Sequence, residues 1–567
     1  MRLDNNETNP VRSKTPKESA DAFPNRTSNG TKENWSRRAV VYQIYPRSFK
    51  DTNGNGVGDL KGVIEKLSYL NDGTDASLGI TAIWLNPIYK SPMKDFGYDI
   101  SDYRDIDPIF GDLGIFDRLV AEAHKRGIKV IMDFVPNHTS SEHPWFQESK
   151  RTKDNSRRDW YIWRDPKTDG SPPNNWLSVF GGPAWTLDEK TGQYYMHTFL
   201  PEQPDLNWRN KDVRDEMADV LRFWLERGVD GFRTDAVYHL IKDDQFRDDP
   251  PNPNYDASRD EPYNALLHVY SQGRPELMET TNTLCHVLSE HSDDIYMVSE
   301  AYLGLPQMIE FYKACNNSLH APFNFNLMML PWSMVEFKRF IDEYEAKLGP
   351  NDWPNYTLGN HDRSRLATRL GQERARLAAM MQFTLRGMPF VYYGDELGME
   401  DVQMPAHAVI DPWGKNMPGF GVGRDPERTP MQWDSSFSAG FTIGTPWLPV
   451  APDYEEKNVE RESRDPNSIL SFYKELIHHR TKSPALLTGA YKSMESGNGY
   501  VLIFGRECTS EKLLVAINFS DSEQIVALSV DGTLLCNTHR GKCGGEKIQT
   551  AQLKLKPYEG LIIKLNQ

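Results

Sequence analysis

The chain has 567 residues, which is room for about three or four domains or for one large barrel with attached domains. It carries 65 basic and 80 acidic side chains, and the resulting net charge of −15 would repel phosphate and argues against a nucleic-acid partner. Hydrophobic residues at 38% and aromatic residues at 11% can form a large core and exclude a disordered chain.

The residues 1–35 are polar, with scattered charges and Pro, Asn and Ser, and they predict a flexible N-terminal tail. From Arg38 onward, short apolar runs alternate with amphipathic, helix-like stretches. The apolar runs predict eight buried strands, at 39–45, 80–85, 128–135, 229–232, 295–299, 322–327, 355–359 and 388–393.

The alternation of strands and helices predicts the fold class. Apolar strands of this kind belong to a parallel sheet that is covered on both faces, and eight repeats indicate a closed α/β barrel of the (β/α)₈ or TIM type. The catalytic barrel is expected over 36–138 and 207–486. About ninety residues separate the third and fourth strands, too many for one helix and its loops, so 139–206 is predicted to be an inserted subdomain B. After 487, four strand-like runs predict a C-terminal antiparallel β-sandwich domain over 487–567.

Two features of the sequence bear on its compartment. The sequence contains no run of about 18 apolar residues, so we expect no membrane span. The beginning of the chain, MRLDNNETNP, lacks the apolar stretch of a signal peptide. The 5 cysteines are few, odd in number and not spaced as in a zinc site. These features favour a cytoplasmic location over a secreted or periplasmic one, with a mature form that has lost its signal as the open alternative.

Three carboxylates fall at the carboxyl ends of predicted strands: Asp235, Glu300 and Asp362. Barrel enzymes collect their catalytic groups at this end, so the three should converge on one face. A single Asp at a strand end is more often a capping or ion-pair residue, but two carboxylates that flank one bond are what glycoside cleavage requires. Arg233 lies on the same side of its strand as Asp235, and we expect it to keep that carboxylate ionised.

A set of short motifs follows these strands in a fixed order. They are DFVPNH (133–138), QPDLNW (203–208), GFRTDAV (231–237), SEA (299–301) and NHD (360–362), with GYDI (97–100), GDE (394–396) and RTPMQWD (428–434) beside them. With these motifs, the chain from about Arg38 to its C-terminus resembles the α-amylase family of glycoside hydrolases (family 13), and within it the exo-acting, oligosaccharide-active α-glucosidases. One motif alone would mean little, whereas the ordered set is highly specific.

The resemblance implies a role for each matching residue. It makes Asp235 the nucleophile, Glu300 the general acid/base and Asp362 the stabiliser of the transition state. His138, His361, Tyr98 and Arg233 become substrate-binding residues, with Tyr98 stacked on the bound glucose. Asp99 and Arg428 resemble the pair that grips the non-reducing end and closes the pocket, which would make the enzyme exo-acting.

The stretch 51–59 spaces oxygen-bearing residues at alternate positions, as calcium loops do, although a Gly/Asn-rich turn has the same composition. It resembles a calcium site of the oligosaccharide-active members of the family. The implied ligands are Asp51, Asn53, Asn55, the carbonyl of Val57, and Asp59. We expect calcium there in a structural role, or magnesium in its place, and no organic cofactor.

The expected activity is that of a retaining exo-acting α-glucosidase that releases glucose from small α-glucosides. Ala236 follows the nucleophile; in related α-glucosidases a Val at this position accompanies α-1,6 cleavage and smaller residues accompany α-1,4 cleavage. This favours maltose-like substrates or sucrose. Thr234 and Tyr238 depart from the commoner surroundings of the nucleophile, so the aglycone preference stays open.

Two alternatives remain beside hydrolysis. A transglucosylase or isomerase of sucrose or maltose would use the same site, because an acceptor sugar can replace water. A non-catalytic protein of the amino-acid transporter heavy-chain type shares the fold, but such proteins carry a membrane span and can lack catalytic residues. The sequence leaves the oligomeric state open.

Overall fold

The computed structural model describes residues 34–315, 319–539 and 544–566. The predicted N-terminal tail lies outside these ranges except for Asn34 and Trp35, and Trp35 begins a short 3₁₀ helix, Trp35–Arg37. Among the described helices, none is both long enough and apolar enough to cross a bilayer.

The central element is an eight-stranded parallel sheet. Its strands, in chain order, are β1 Val41–Ile44, β2 Ala82–Leu85, β3 Lys129–Phe134, β4 Gly231–Thr234, β5 Tyr296–Ser299, β6 His320–Pro322, β7 Asn355–Thr357 and β8 Met388–Tyr392. From β1 to β6, each strand pairs in parallel with the next strand in the sequence, and β8 pairs with both β1 and β7. Hydrogen bonds from the side chain of Asn355 connect β7 to the end of β6. The predicted (β/α)₈ barrel is confirmed.

Eight helices surround this sheet, one after each strand. They are α1 Leu60–Leu70, α2 Leu113–Lys125, α3 Lys211–Glu226, α4 Leu277–His291, α5 Leu305–Tyr312, α6 Met334–Lys347, α7 Gln372–Thr384 and α8 Ile469–Lys482. The first three begin at capping side chains: Asp59, Asp112 and Asn210 each accept a backbone N–H of the first turn. Shorter helices lie in the loops, at Pro46–Phe49, Pro144–Ser149, Asn326–Met329, Leu366–Leu370, Pro412–Asn416, Val459–Glu462 and Pro484–Thr488.

The sixth strand differs from its prediction. The apolar run 322–327 was expected to be extended, but the strand is His320–Pro322 and a short helix follows at Asn326–Met329. The side-chain oxygen of Asn324 accepts the backbone N–H of Asn326, which is an Asx turn that starts the helix. This local side-chain bond outweighs the strand propensity of the two phenylalanines in the run.

The insertion after β3 forms a separate small layer. It contains a three-stranded antiparallel sheet, Trp163–Arg164, Trp185–Asp188 and Gln193–Met196, whose core includes the buried rings of Trp176 and Trp185. The chain returns to the barrel by isolated bridges that pair His138 with Asp205 and Tyr161 with Leu206. A two-stranded ribbon, Tyr89–Lys90 with Asp102–Ile106, lies in the loop after β2.

The C-terminal part is antiparallel, as predicted. Its strands are β9 Ala490–Met494, β10 Val501–Glu507, β11 Lys512–Asn518, β12 Gln524–Val526, β13 Val530–Asn537, β14 Glu546–Thr550, β15 Leu553–Leu555 and β16 Gly560–Leu565. Six of them form one sheet in the order β9-β10-β11-β16-β13-β14, and β12 pairs with β15. Arg506, fully buried on β10, donates to the backbone carbonyls of Thr384, Leu486 and Gly489, and so ties this sheet to the end of α7.

Cys285 on α4 and Cys315 after α5 form a disulfide with a Cα–Cα distance of 6.0 Å. Disulfides persist mainly in oxidising compartments, so this pair does not support the cytoplasmic location that the sequence features favour. Cys543 lies outside the described residues.

Candidate active site

A pocket of about 580 Å³ opens at the carboxyl ends of the barrel strands. Its walls come from the strand ends, from subdomain B and from the segment after β8. The side chains that line it include Asp95, Tyr98, His138, Phe180, Asp235, Glu300, Tyr302, Asp362, Arg363, Trp413 and Arg424. The three predicted catalytic carboxylates therefore meet in one pocket, as their positions after β4, β5 and β7 require.

The guanidinium of Arg233 joins three carboxylates beneath this pocket. Its Nη1 donates to Asp133 Oδ1 and to Asp235 Oδ1, both at 2.6 Å, and its Nη2 lies 2.8 Å from Glu300 Oε2. Asp133 and Arg233 are partners in the β3–β4 register, and the two-residue period of a strand places Arg233 and Asp235 on the same side. Strand geometry thus brings the cluster together.

Burial dominates the protonation of this cluster. Desolvation raises the pKa of Asp235 well above its ordinary value; Arg233 opposes the rise, while Glu300 and Asp133 add to it. Burial also raises the pKa of Asp133 to about 6. Arg233 favours the ionised form of Asp235, as expected, but burial and the two neighbouring carboxylates act in the opposite direction, and the net pKa is raised.

The chain turns sharply after the predicted nucleophile. Ala236 has a left-handed backbone, with φ 45° and ψ 33°, which is uncommon for a residue with a Cβ. This turn brings the backbone N–H of Ala236 within 3.0 Å of Glu300 Oε2, the oxygen that Arg233 also holds. The other oxygen, Oε1, is therefore the one that Glu300 can offer to a substrate.

Tyr98 lines the pocket and forms a stacked pair with the buried His361, which is not part of the lining; their ring centroids are 5.5 Å apart and the planes are 6° from parallel. Gln43 Nε2 can only donate, so His361 Nδ1, 2.8 Å away, accepts. His361 Nε2 then carries the proton and donates to the hydroxyl of Tyr98 at 2.6 Å. Burial lowers the pKa of His361 well below its ordinary value, which agrees with this neutral ring.

Asp362 lies against two arginines. Arg428 Nη2 is 2.7 Å and Arg424 Nη1 is 3.4 Å from its Oδ1. Burial would raise the pKa of Asp362, but His361 and the two arginines hold it far below its usual range. Because the ring of His361 is neutral, we attribute the effect to the guanidiniums, which keep Asp362 ionised.

His138 follows β3 and lies beside the same pocket. Burial lowers the pKa of His138 to about 4, so its ring is neutral near pH 7. Asn137 donates to its Nδ1 at 3.2 Å, and its Nε2 lies 3.2 Å from the backbone carbonyl of Tyr98. The same Nε2 also lies 3.1 Å from the amide nitrogen of Gln203, so both ring nitrogens of His138 have protein partners in this structure.

Asp99 is not where the resemblance placed it. It is fully buried, away from the pocket lining, and accepts the hydroxyl of Ser91 and the backbone N–H groups of Lys94 and Asp95, each at 2.9 Å. The predicted pair of Asp99 with Arg428 is therefore not formed. Asp99 instead shapes the loop that presents Asp95.

The pair that does line the pocket is Asp95 with Arg424, whose Nη2 lies 2.6 Å from Asp95 Oδ1. Sequence reasoning missed both residues, and Asp133 with them. A signal existed: the segments DFGYDI and GRDPERTP each contain two candidates, so the motifs left more than one Asp–Arg pairing possible. Phe180 of subdomain B also went unrecognised; it stacks on Trp413 at 5.4 Å and lies under the guanidinium of Arg424.

The loop 51–59 gathers the five predicted calcium ligands in one turn. The oxygens of Asp51 accept the backbone N–H groups of residues 53, 54 and 56 and the hydroxyl of Thr442. Burial would raise the pKa of Asp51, but these hydrogen bonds lower it, so the carboxylate stays ionised. A Cβ at Gly56, where φ is +87°, would meet the carbonyl oxygen of Thr445 at 1.8 Å, so the turn requires glycine. An ionised carboxylate among amide and carbonyl oxygens is a donor set that fits a hard cation.

A (β/α)₈ barrel whose strand ends present two carboxylates, held by one arginine, to a pocket is the framework of a glycoside hydrolase. The sequence agrees with this class. Residues 43–489 match the family described as "Alpha amylase, catalytic domain", and the chain belongs to the α-amylase family.

Known members extend the comparison over most of the chain. The protein is 38% identical over 572 residues to the oligo-1,6-glucosidase of Parageobacillus thermoglucosidasius, covering 94% of this chain and 99% of that one. It is 41% identical over 510 residues to an α-glucosidase of Apis mellifera, covering 88% of this chain and 87% of that one. The crystal structure of the α-glucosyl transfer enzyme XgtA superposes with a TM-score of 0.87 at 38% identity, covering 94% of this chain and 100% of that one.

Proposed function

We propose that this protein is a retaining, exo-acting α-glucosidase that removes glucose from the non-reducing end of short α-glucosides. The observation that carries the proposal is the attachment of Asp235 and Glu300 to neighbouring nitrogens of Arg233. Retaining enzymes need their two carboxyl groups only about 5–5.5 Å apart, whereas inverting enzymes leave about 6.5–9.5 Å for a water molecule. Two carboxylates on one guanidinium favour the shorter spacing.

The contacts of the two carboxylates assign their reacting atoms. Arg233 holds Oδ1 of Asp235, so Oδ2 is the atom that attacks the anomeric carbon. Glu300 offers Oε1, whose proton passes to the glycosidic oxygen as the bond between that oxygen and the anomeric carbon breaks. General-acid action requires Glu300 to carry that proton before the bond breaks. Glu300, now ionised, then takes a proton from the water that attacks the glucosyl-enzyme, and glucose leaves with retained configuration.

The surrounding groups suit a glucose ring with developing positive charge. The ionised Asp362 stabilises that charge, and its two arginines keep it from taking a proton. Tyr98 and His138 line the pocket, Tyr98 supplies a flat face for the sugar, and His361 holds the hydroxyl of Tyr98. Asp95 and Arg424 close the pocket on the side of the non-reducing end, which supports exo action.

For the linkage, we propose α-1,4 bonds of maltose-like substrates, or sucrose. The support is the small side chain of Ala236, which directly follows the nucleophile and lines the pocket. The relatives named above include both an oligo-1,6-glucosidase and an α-glucosidase, so analysis of the reaction products must decide between the α-1,4 and α-1,6 linkages.

We also propose that the loop 51–59 holds a calcium ion in a structural role, with magnesium as the alternative. Asp51, Asn53, Asn55, the carbonyl of Val57 and Asp59 would supply oxygen ligands, and water would complete the shell. Asp59 also caps α1, and Asp51 binds Thr442 in the segment after β8. The ion would therefore fasten the first loop of the barrel to the last.

The deciding experiment separates the products formed from maltose, isomaltose, sucrose and maltotriose by chromatography and follows the anomers by NMR. We expect glucose from maltose, released first as the α-anomer. Release of the β-anomer would contradict retention, and glucose from isomaltose alone would contradict the linkage. Asp235→Asn should lower kcat by at least about 10⁴-fold while glucose still binds, and Asp219→Asn, on the exposed face of α3, is the matched control.

A second candidate function is glucosyl transfer by the same site. The specific support is the likeness to XgtA, an α-glucosyl transfer enzyme, over nearly the whole chain. In transfer, a sugar hydroxyl replaces water in attacking the glucosyl-enzyme. Trisaccharides, or isomers of the starting disaccharide, would accumulate at high concentrations of maltose or sucrose. The amount of free glucose would then be smaller than the number of glycosidic bonds cleaved.

A further inference from the structure

The segment between β8 and α8 forms a closed loop over the pocket. The backbone N–H of Val402 donates to the carbonyl of Pro426 at 3.1 Å, so the two ends of the loop meet. From this loop, Trp413 and Arg424 reach the pocket wall. The position of Arg424 is therefore set by a loop rather than by a strand of the barrel.

Arg424 is nearly buried and contacts three carboxylates. Beside Asp95 and Asp362, its third partner is Asp411, which is absent from the pocket lining and fully buried. Oδ1 of Asp411 accepts Arg424 Nε at 2.9 Å and Nη2 at 2.7 Å. Because one charged oxygen binds two nitrogens on the same edge of the guanidinium, it restrains the direction in which that edge faces.

The other oxygen of Asp411 organises the backbone of the loop. Oδ2 accepts the N–H of Gly414 at 3.2 Å, at the start of the short helix Pro412–Asn416, and the N–H of Arg424 itself at 3.3 Å. The backbone and the side chain of Arg424 are thus both bound by one carboxylate. Asp425 in turn accepts the N–H groups of Ile410 and Asp411, which holds Asp411 in place.

We propose that Asp411 is a positioning residue that orients Arg424 for binding the non-reducing end of the substrate. This inference rests on the proposed α-glucosidase function. With Nε and Nη2 bound to Asp411, Nη2 also reaches Asp95, and Nη1 faces Asp362 and the pocket. Without Asp411, the long side chain regains its rotamer freedom and can turn wholly toward the negative charge of Asp362.

The test is a double-mutant cycle on Asp411 and Arg424. The single variants D411A and R424A and the double variant are compared in kcat/KM for p-nitrophenyl α-glucoside. Displacing a substrate-binding group by about 1 Å can cost up to about 100-fold, and we expect D411A to lose about 10- to 100-fold. If Asp411 acts through Arg424, the double variant is no worse than R424A.

Further measurements separate positioning from a merely structural role. D411N keeps the size of the side chain and loses its charge, so it tests the same contact if D411A is poorly folded. The variants should also bind the glucose-shaped iminosugar 1-deoxynojirimycin more weakly in calorimetry. K415A, an exposed change in the same short helix, should match the wild type in both assays.

The outcomes are distinguishable. Additive losses in the cycle, or unchanged iminosugar affinity in a folded D411N, would overturn the role of Asp411 while the wild type stays active. A wild type that neither cleaves α-glucosides nor binds the iminosugar would overturn the proposed function, and the positioning role with it.

Discussion

Replacing Arg233 with lysine tests the electrostatics of the reaction centre. The guanidinium reaches Asp133, Asp235 and Glu300 through two nitrogens, whereas an ammonium has one nitrogen on a shorter stem and retains at most part of these contacts. Each charge-assisted hydrogen bond contributes about 1.5–3 kcal/mol, and one pKa unit corresponds to about 1.4 kcal/mol. Losing the bond to Asp235 should therefore raise its pKa by about one to two units.

The sign of the effect follows from the proposed role of Asp235 as the nucleophile. The nucleophile must be ionised and its pKa is already raised by burial, so a further rise moves the acid limb of the pH profile toward higher pH. We expect the acid limb of kcat/KM for p-nitrophenyl α-glucoside to shift upward by about one to two pH units in R233K. R118K, an exposed change on α2, is the control. An unshifted acid limb in a folded R233K would refute the reasoning.

Three further predictions concern stability. In scanning fluorimetry, calcium should raise the melting temperature of the wild type and leave the melting temperature of the Asp51→Ala variant unchanged. Arg506→Met should lower the free energy of unfolding by about 3 kcal/mol or more in urea titrations, because it leaves three buried carbonyls without their donor. The Cys285–Cys315 disulfide closes a loop of 30 residues, so its reduction should cost about 3–4 kcal/mol and lower the melting temperature.

Each of these has a direct control. Asp72→Ala, in a different, exposed loop, should leave the calcium response intact. An equal response in Asp51→Ala would contradict calcium binding in the loop 51–59. Arg259→Met, at an exposed site, should change stability little. Cys285→Ser should melt like the reduced wild type; a reductant that lowers its melting temperature further would contradict the disulfide account.

Much of the architecture could be read from local patterns. The barrel strands show as apolar runs because each is buried on both faces, and the turn from strand to loop places Asp235 and Glu300 at the same end. The two-residue period of a strand was enough to place Arg233 beside Asp235. The sixth strand was misread because an Asx turn at Asn324 overrode the apolar run, and that bond depends on how one side chain turns.

The details of the pocket depended on contacts between distant segments. Asp95 and Arg424 are 329 positions apart, and two aspartates and two arginines stood in the matching segments. The backbone paths of these segments place Asp95 in the pocket lining, whereas the side chain of Asp99 is hydrogen-bonded within its own loop. The protonation of Asp235 likewise depends on burial and on Asp133 and Glu300 together, rather than on its neighbour Arg233 alone.

The amino-acid sequence by itself determined the barrel, the insertion, the antiparallel C-terminal sheets and the order of the three predicted catalytic carboxylates, because hydrophobic period and position along a strand are local properties. Only the tertiary structure decided which aspartate meets which arginine and which oxygen of Glu300 contacts Arg233 and the backbone of Ala236. These follow from the packing of loops whose ends lie far apart in the chain, and packing, with the loss of water that it brings, also sets the charge that each buried carboxylate can carry.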